Sequence, residues 1–240
     1  MREIVFDTET TGLDPLAPDN PDRLVEVGCV ELIGLERTGR ELHLYINPER
    51  DVPEEVVRVH GLTRDFLFKH PKFAELVDQF LDFVGDAPLV AHNAAFDQNF
   101  INAELRRAAR APLERFVDTL VIARKRFPGA SCSLDALAKR YQLDRYGFDL
   151  SARKGAGGHG ALVDARILAE VYLQLSGGRE QRFSFETTAA VSSEATPVVY
   201  APRPPRPTPL PPRLSSEEEA AHAAFVAGLG EGALWKKFAA

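Results

Sequence analysis

Apolar positions along the chain change period in a way that separates short strands from amphipathic helices. Ile4-Val5-Phe6 is a brief apolar run that stops at acidic residues, and residues 24–33 and 41–46 are rich in strand-forming side chains. A turn centred on Gly39 is expected between the latter two, giving three early strands in a meander. Residues 54–63 read as a short helical turn broken at Gly61, and Phe73, Leu76, Val77, Phe80, Leu81 and Val84 recur at helical spacing. Residues 88–91 suit a buried parallel strand, and Asn93 is placed to cap a helix over about residues 95–109. Phe116-Val117 supplies a fifth strand, with further helices over 119–126, 133–141 and 161–175. A meander followed by alternating strands and helices predicts an α/β fold, a mixed five-stranded sheet flanked by helices.

Beyond Leu175 the periodicity is lost. Ser176-Gly177-Gly178 ends the last helix, Pro accumulates over residues 202–212, and overlapping Ser-x-x-Glu capping boxes at Ser215 and Ser216 open an Ala-rich helix. The expected organisation is a domain over 1–177, a Pro-rich extended linker over 178–213 and a terminal docking segment over 214–240.

With 240 residues, 45% of them hydrophobic, the chain can bury one good core. Its net charge of -6 argues against a long-groove nucleic-acid binder, so any such contact must be local. Cys29 and Cys132 form no metal-binding or disulfide pattern, and no targeting or membrane-spanning run is seen, so a reducing cytoplasm is expected.

Candidate chemistry begins at Asp7 and Glu9. In a strand, alternate side chains share a face, which places these carboxylates together roughly 7 Å apart at the strand's end. Their repulsion is relieved by a divalent cation such as Mg2+, which combines a few carboxylates with substrate phosphate oxygens. Asp97 follows another strand in His92-Asn93-Ala94-Ala95-Phe96-Asp97, and strand ends of such a sheet open onto one crevice. Farther on, Gly-rich residues 155–160 lead into a helix carrying Asp164, with His159 at its mouth. A carboxylate fixed on a helix can ligate metal, and an imidazole on a loose backbone can take a proton from water.

Jointly, Asp7, Glu9, Asp97, Asp164 and His159 resemble the acidic set of the DEDD exonuclease superfamily in its histidine-containing branch. The resemblance implies a ribonuclease H-like fold and removal of nucleotides from a 3' end. It further implies two Mg2+ or Mn2+ ions roughly 4 Å apart, with Asp7 bridging both and Glu9 and Asp164 holding one. Asp97 would act directly or through water, and His159 would be the general base. Val59-His60-Gly61-Leu62-Thr63 looks like the family's loop beside the terminal nucleotide, where His60, Glu55, Leu13 and Phe96 contact sugar or base. The Thr10-Thr11-Gly12 turn and Asn93 complete that expected substrate set. Arg106, Arg107, Arg110, Arg124, Lys125 and Arg126 could touch phosphates, although their helical spacing fits solvated faces better.

Within that superfamily, Asn47-Pro48, residues 123–129 and residues 133–137 are similar to the proofreading epsilon subunits of bacterial DNA polymerase III. Gln181, Phe183 and Phe185 fit the pattern of a peptide that inserts into a sliding clamp. Leu234, Trp235 and Phe238 resemble a tail that docks on the polymerase alpha subunit. The substrate implied is a single-stranded or frayed 3' end of DNA, and the chain outside the complex is expected to be monomeric. An exoribonuclease of the same superfamily and a non-catalytic replisome tether are the alternatives; the tether predicts a broken acidic set, whereas all five residues are present. The loop between Leu143 and His159 is longer and richer in Gly than the family pattern.

Overall fold

The computed structural model describes residues 1–148, 159–177 and 214–229. Five strands, β1 (Arg2–Thr10), β2 (Leu24–Ile33), β3 (Glu36–Tyr45), β4 (Leu89–Ala91) and β5 (Phe116–Asp118), form one sheet. Their spatial order is β3-β2-β1-β4-β5, with the first three antiparallel and β4 and β5 parallel to β1. This is the mixed sheet that the order of elements implies.

Helices cover both faces. On one, α3 (Phe73–Val84) and α4 (Ala94–Arg107) pack Phe73, Val77, Phe80, Phe100 and Ile101 against Ile4, Phe6 and Val27. On the other, α7 (Ala161–Leu175) sets Ala165, Leu168 and Tyr172 against Val5, Val30 and Val90. Helices α5 (Thr119–Arg126) and α6 (Leu134–Arg140) share a smaller apolar cluster with α7. A short α1 (Glu54–His60) closes on Gly61, whose φ of 78° permits the turn.

Some local expectations are corrected. The meander turns at Gly34 and Leu35, with φ of 60° and 67°; Gly39 lies inside β3, where the register with β2 shifts. A glycine at positive φ within a strand marks a bulge as readily as a turn. Asn93 does occupy the cap position of α4, but its φ of 68° goes with no side-chain cap bond. Instead its backbone N–H donates to Asp118 Oδ1 at 3.0 Å, and the same oxygen accepts from Leu120 N–H at 2.8 Å. One-turn pieces, α2 (Arg64–Leu67) and a 3-10 turn over Leu143–Tyr146, are too short for periodicity to reveal.

The position of α7 depends on Gly28. A Cβ there would lie 2.3 Å from both Cα and N of Leu162, backbone atoms that cannot step aside. Gly28→Ala is therefore expected to cost about 1–3 kcal/mol of overpacking, a fall in melting temperature of roughly 3–10 °C. Melting curves measure the loss; an unchanged melting temperature would show that α7 need not sit this close.

Both cysteines are buried and unbridged, and burial raises the pKa of the Cys29 thiol. None of the described helices is long and apolar enough to cross a membrane. By its internal contacts the chain divides into Met1–Phe183 and Ser184–Ala240. In the latter, α8 (Ser216–Gly228) is capped by Ser215, whose Oγ accepts from Glu218 N–H while Glu218 accepts from Ser215 N–H. The Pro-rich stretch 202–212, the peptide Gln181, Phe183 and Phe185, and the terminal Leu234, Trp235 and Phe238 lie outside the described residues.

Candidate active site

Strand β1 serves two layers at once. Ile4 and Phe6 face α3 and α4, whereas Val5 faces α7. Asp7 and Glu9 continue the Val5 face, and Thr8 continues the Phe6 face. Both acids are half-buried. Their cross-strand partners are Gly28 and Glu26. Because β1, β4 and β5 run parallel, their C-terminal ends open along one edge, where a crevice forms.

Helix α7 brings the next two groups. Asp164 lies in its first turn, 4% exposed, with its N–H donating to Gly160 O at 2.9 Å. His159 stands just before the helix; its N–H donates to Val59 O at 3.3 Å, tying the entry of α7 to α1. The imidazole rests on Asp164, with Nδ1 at 3.1 Å from Oδ2. Glu9, His159 and Asp164 each present a ligand atom, and these atoms all lie within 4.8 Å of one another. At that separation the Glu9 and Asp164 carboxylates fit a divalent cation, with the imidazole beside it.

Asp97 arrives from the opposite layer. It sits on α4, 4% exposed, and accepts from Thr8 Oγ1 at 2.8 Å. Burial pushes its pKa up to about 7; the bonds from Thr8 oppose that shift and the Asp118 charge adds to it. Asp7 and Asp97 stand outside the tight Glu9, His159 and Asp164 group. The five candidates thus flank the end of β1, three gathered on the α7 side with Asp7 beside them and Asp97 reaching β1 through Thr8.

A cavity of about 570 Å³ opens next to Glu9. Its walls include Thr10, Gly12, Leu13, Glu55, His60 and Phe96, and Asn93 lies outside this lining. The turn is held by Thr10 Oγ1 donating to Gly12 O at 2.6 Å. His60 is buried, its Nδ1 accepts from Leu62 N–H at 3.0 Å, and burial lowers its pKa, so the ring is neutral near pH 7. Of the basic residues, Arg107 bonds Glu104 and Pro15 O, Arg110 pairs with Asp78, and Arg126 donates to the last carbonyls of α7 at Gln174 and Leu175.

Three contributors escape sequence reading. Thr8, between the two acids, anchors Asp97. Asp22 accepts from Thr11 Oγ1 and from Asp14 N–H, both at 3.0 Å, and its carboxylate fills the space a Cβ on Gly12 would need. Gly28 lets α7 approach. Only Asp22 carries even a weak signal, an acid in a Pro- and Asp-rich loop.

Comparison with known proteins gives the chain's family and fold. The RNase T family model, described as exonuclease, matches residues 4–172. The DNA polymerase III subunit epsilon of Rickettsia felis is 47% identical over 188 residues, 76% of this chain and 77% of that protein. The subunit of the same name from Escherichia coli is 41% identical over 203 residues, 81% of this chain and 80% of that protein. Among solved structures, exonuclease X in complex with 5' overhanging duplex DNA shares the fold at a TM-score of 0.55 and 22% identity, covering 72% of this chain and 89% of that one. The nuclease domain of 3'hExo, a DEDDh family member bound to rAMP, aligns at a TM-score of 0.56 and 16% identity, covering 73% and 92%.

Proposed function

Because the chain belongs to the exonuclease family and, within it, to the epsilon subunits of DNA polymerase III, we propose that it proofreads DNA by removing mispaired nucleotides from a primer's 3' end. The observation that carries this reading is the convergence of Glu9, His159 and Asp164 beside a cavity able to receive a terminal nucleotide. Asp7, Glu9, Asp97 and Asp164 would hold two divalent ions, Mg2+ or Mn2+. Ions bound there supply Lewis-acid polarisation of the scissile phosphate and neutralise the charge that develops on it.

The chain's own groups do the remaining work. Leu13 and Phe96 offer apolar surface to the terminal base, while Thr10, Gly12, Glu55 and His60 face its sugar. With Nδ1 accepting from Leu62, neutral His60 keeps its proton on Nε2, a donor that adds no charge. His159 takes a proton from the attacking water; the phosphorus gains the water oxygen, the bond to the 3' oxygen breaks, that oxygen takes a proton from solvent to become the shortened strand's 3' hydroxyl, and a nucleoside 5'-monophosphate leaves. Asp164 orients the imidazole meanwhile. Matched DNA and RNA oligonucleotides, with paired and mispaired 3' ends, test the assignment. Release of 5'-monophosphates from the 3' end of DNA, faster when mispaired, is expected; a strong preference for RNA would sink the proofreading role.

Burial of Asp97 leads to a pH-dependent outcome. Its pKa is about 7 when folded against 3.8 ordinarily, so through that window the folded chain holds a proton that the unfolded chain releases. The metal-free fold accordingly loses stability as pH rises from about 4 to 7. With a divalent ion held there, Asp97 would bind as the carboxylate and give up that proton. Mn2+ titration by calorimetry, in buffers of different ionisation enthalpy, should show nearly one proton released from this group at about pH 6 and almost none at about pH 8.5. If Asp97→Asn releases as many protons as the parent, Asp97 is not at the metal.

For the tail, Gln181, Phe183 and Phe185 would seat in a sliding clamp, and Leu234, Trp235 and Phe238 on the alpha subunit. The support is their sequence pattern and the family. Tethering of this kind raises the effective concentration of nuclease at the primer end. Pull-down of the full chain against one truncated near Pro212 separates the two contacts.

A further inference from the structure

We propose that Glu26, held by His43, is a positioning residue that fixes the first turn of α7 against Glu9 and so sets how Glu9, His159 and Asp164 meet. The proposal rests on the metal-dependent reading of that site. Glu26 stands directly across the ladder from Glu9, on the face that α7 covers. It is 3% exposed, a costly place for a carboxylate without compensation.

Compensation comes from two sides. His43 Nε2 lies 2.6 Å from Glu26 Oε1. His43 sits on β3 opposite Gly28, so the pair runs diagonally across the same face. On the other side is the start of α7: the Glu26 carboxylate oxygens lie 3.9 and 4.0 Å from where a Cβ on Gly160 would be. Negative charge is favoured beside the first turn of a helix by the helix dipole.

That turn is where the site is assembled. Gly160 is the N-cap of α7, follows His159 directly and accepts from Asp164 N–H. Any shift of the turn moves the base and one acid together relative to Glu9. Gly28 determines how near α7 can come, and Glu26 gives the same turn an electrostatic anchor. Glu26 does not belong to the Glu9, His159 and Asp164 group, so its action is through position.

The test uses the full-length chain and the variants Glu26→Gln and His43→Gln. Mn2+ affinity is measured by calorimetry, and kcat and KM with the p-nitrophenyl ester of thymidine 5'-monophosphate, a substrate too small to depend on remote strand contacts. Glu26→Gln is expected to weaken Mn2+ binding about tenfold and lower kcat about 10–100-fold, the usual range for residues that orient metal ligands. KM should stay within about twofold, because the walls of the nucleotide cavity are untouched. His43→Gln should change both quantities in the same direction by about threefold, since it removes only the outer partner. A folded Glu26→Gln protein that melts earlier but keeps kcat and Mn2+ affinity within twofold of the parent overturns the proposal, leaving a structural pair. Should that variant not fold, His43→Gln decides by the same twofold criterion. A parent chain that binds no Mn2+ defeats the metal reading itself, before any variant is compared, and the proposal falls with it.

Discussion

Replacing Asp7 and Glu9 together by alanine is expected to abolish 3' excision, lowering turnover by at least about a thousandfold, while the protein stays folded. The size follows from the chemistry assigned to the site: stabilisation of developing phosphate charge is worth several kcal/mol, and each 1.4 kcal/mol is a factor of ten. The fold should survive because both side chains are half-buried at the C-terminal end of β1, and the core contacts of that strand are made by Ile4, Val5 and Phe6. Removing two like charges at one strand end also relieves repulsion in the metal-free state. Circular dichroism, Mn2+ calorimetry and a primer-degradation assay give the three readouts. Retained excision by a folded double variant would refute the metal site.

The second large effect concerns His159. Its imidazole belongs to the same close group as Glu9 and Asp164, which by distance alone would also suit a metal ligand. As the base that takes the water's proton, its loss should lower kcat about 10²–10⁴-fold. Metal affinity separates the two roles. His159→Ala is expected to keep Mn2+ affinity within about threefold, because the carboxylates remain. A ligand role would instead weaken binding about 10–100-fold. The contact of Nδ1 with Asp164 Oδ2 makes one further demand: Asp164→Asn should depress kcat and Mn2+ affinity together, since that carboxylate both orients the ring and faces the metal. If His159→Ala turns over at the parent rate, the proton goes elsewhere.

Much of the fold was open to reading from local pattern. Helical spacing locates Phe73–Val84 to the residue, because an amphipathic face repeats within the segment itself, whereas Ala161–Leu175 is buried on nearly all sides. A meander followed by strands alternating with helices implies the mixed sheet, while the spatial order β3-β2-β1-β4-β5 comes from the pairing. Gly39 shows the boundary of that approach: a glycine at positive φ looks the same in a turn or in a bulge, and only pairing with β2 distinguishes them. Asn93 shows it again, since the residue type suits a cap but the backbone conformation that β4 and β5 impose uses Asp118 instead.

Local pattern alone places Asp7 and Glu9 on one face at a strand's end, Asp164 in the first turn of a helix with His159 before it, and Asp97 in the first turn of a helix after a parallel strand. Each of these depends only on the two-residue and 3.6-residue periods of the backbone. How these groups meet follows from the packing of the layers. Asp97 reaches β1 from the other layer through Thr8, α7 approaches because Gly28 carries no side chain, Asp22 fills the space beside Gly12, and Glu26 faces the start of α7. Those contacts join residues from 10 positions apart, Gly12 with Asp22, to more than a hundred, Gly28 with Leu162. Separations of that kind have no period, so layer packing alone sets them.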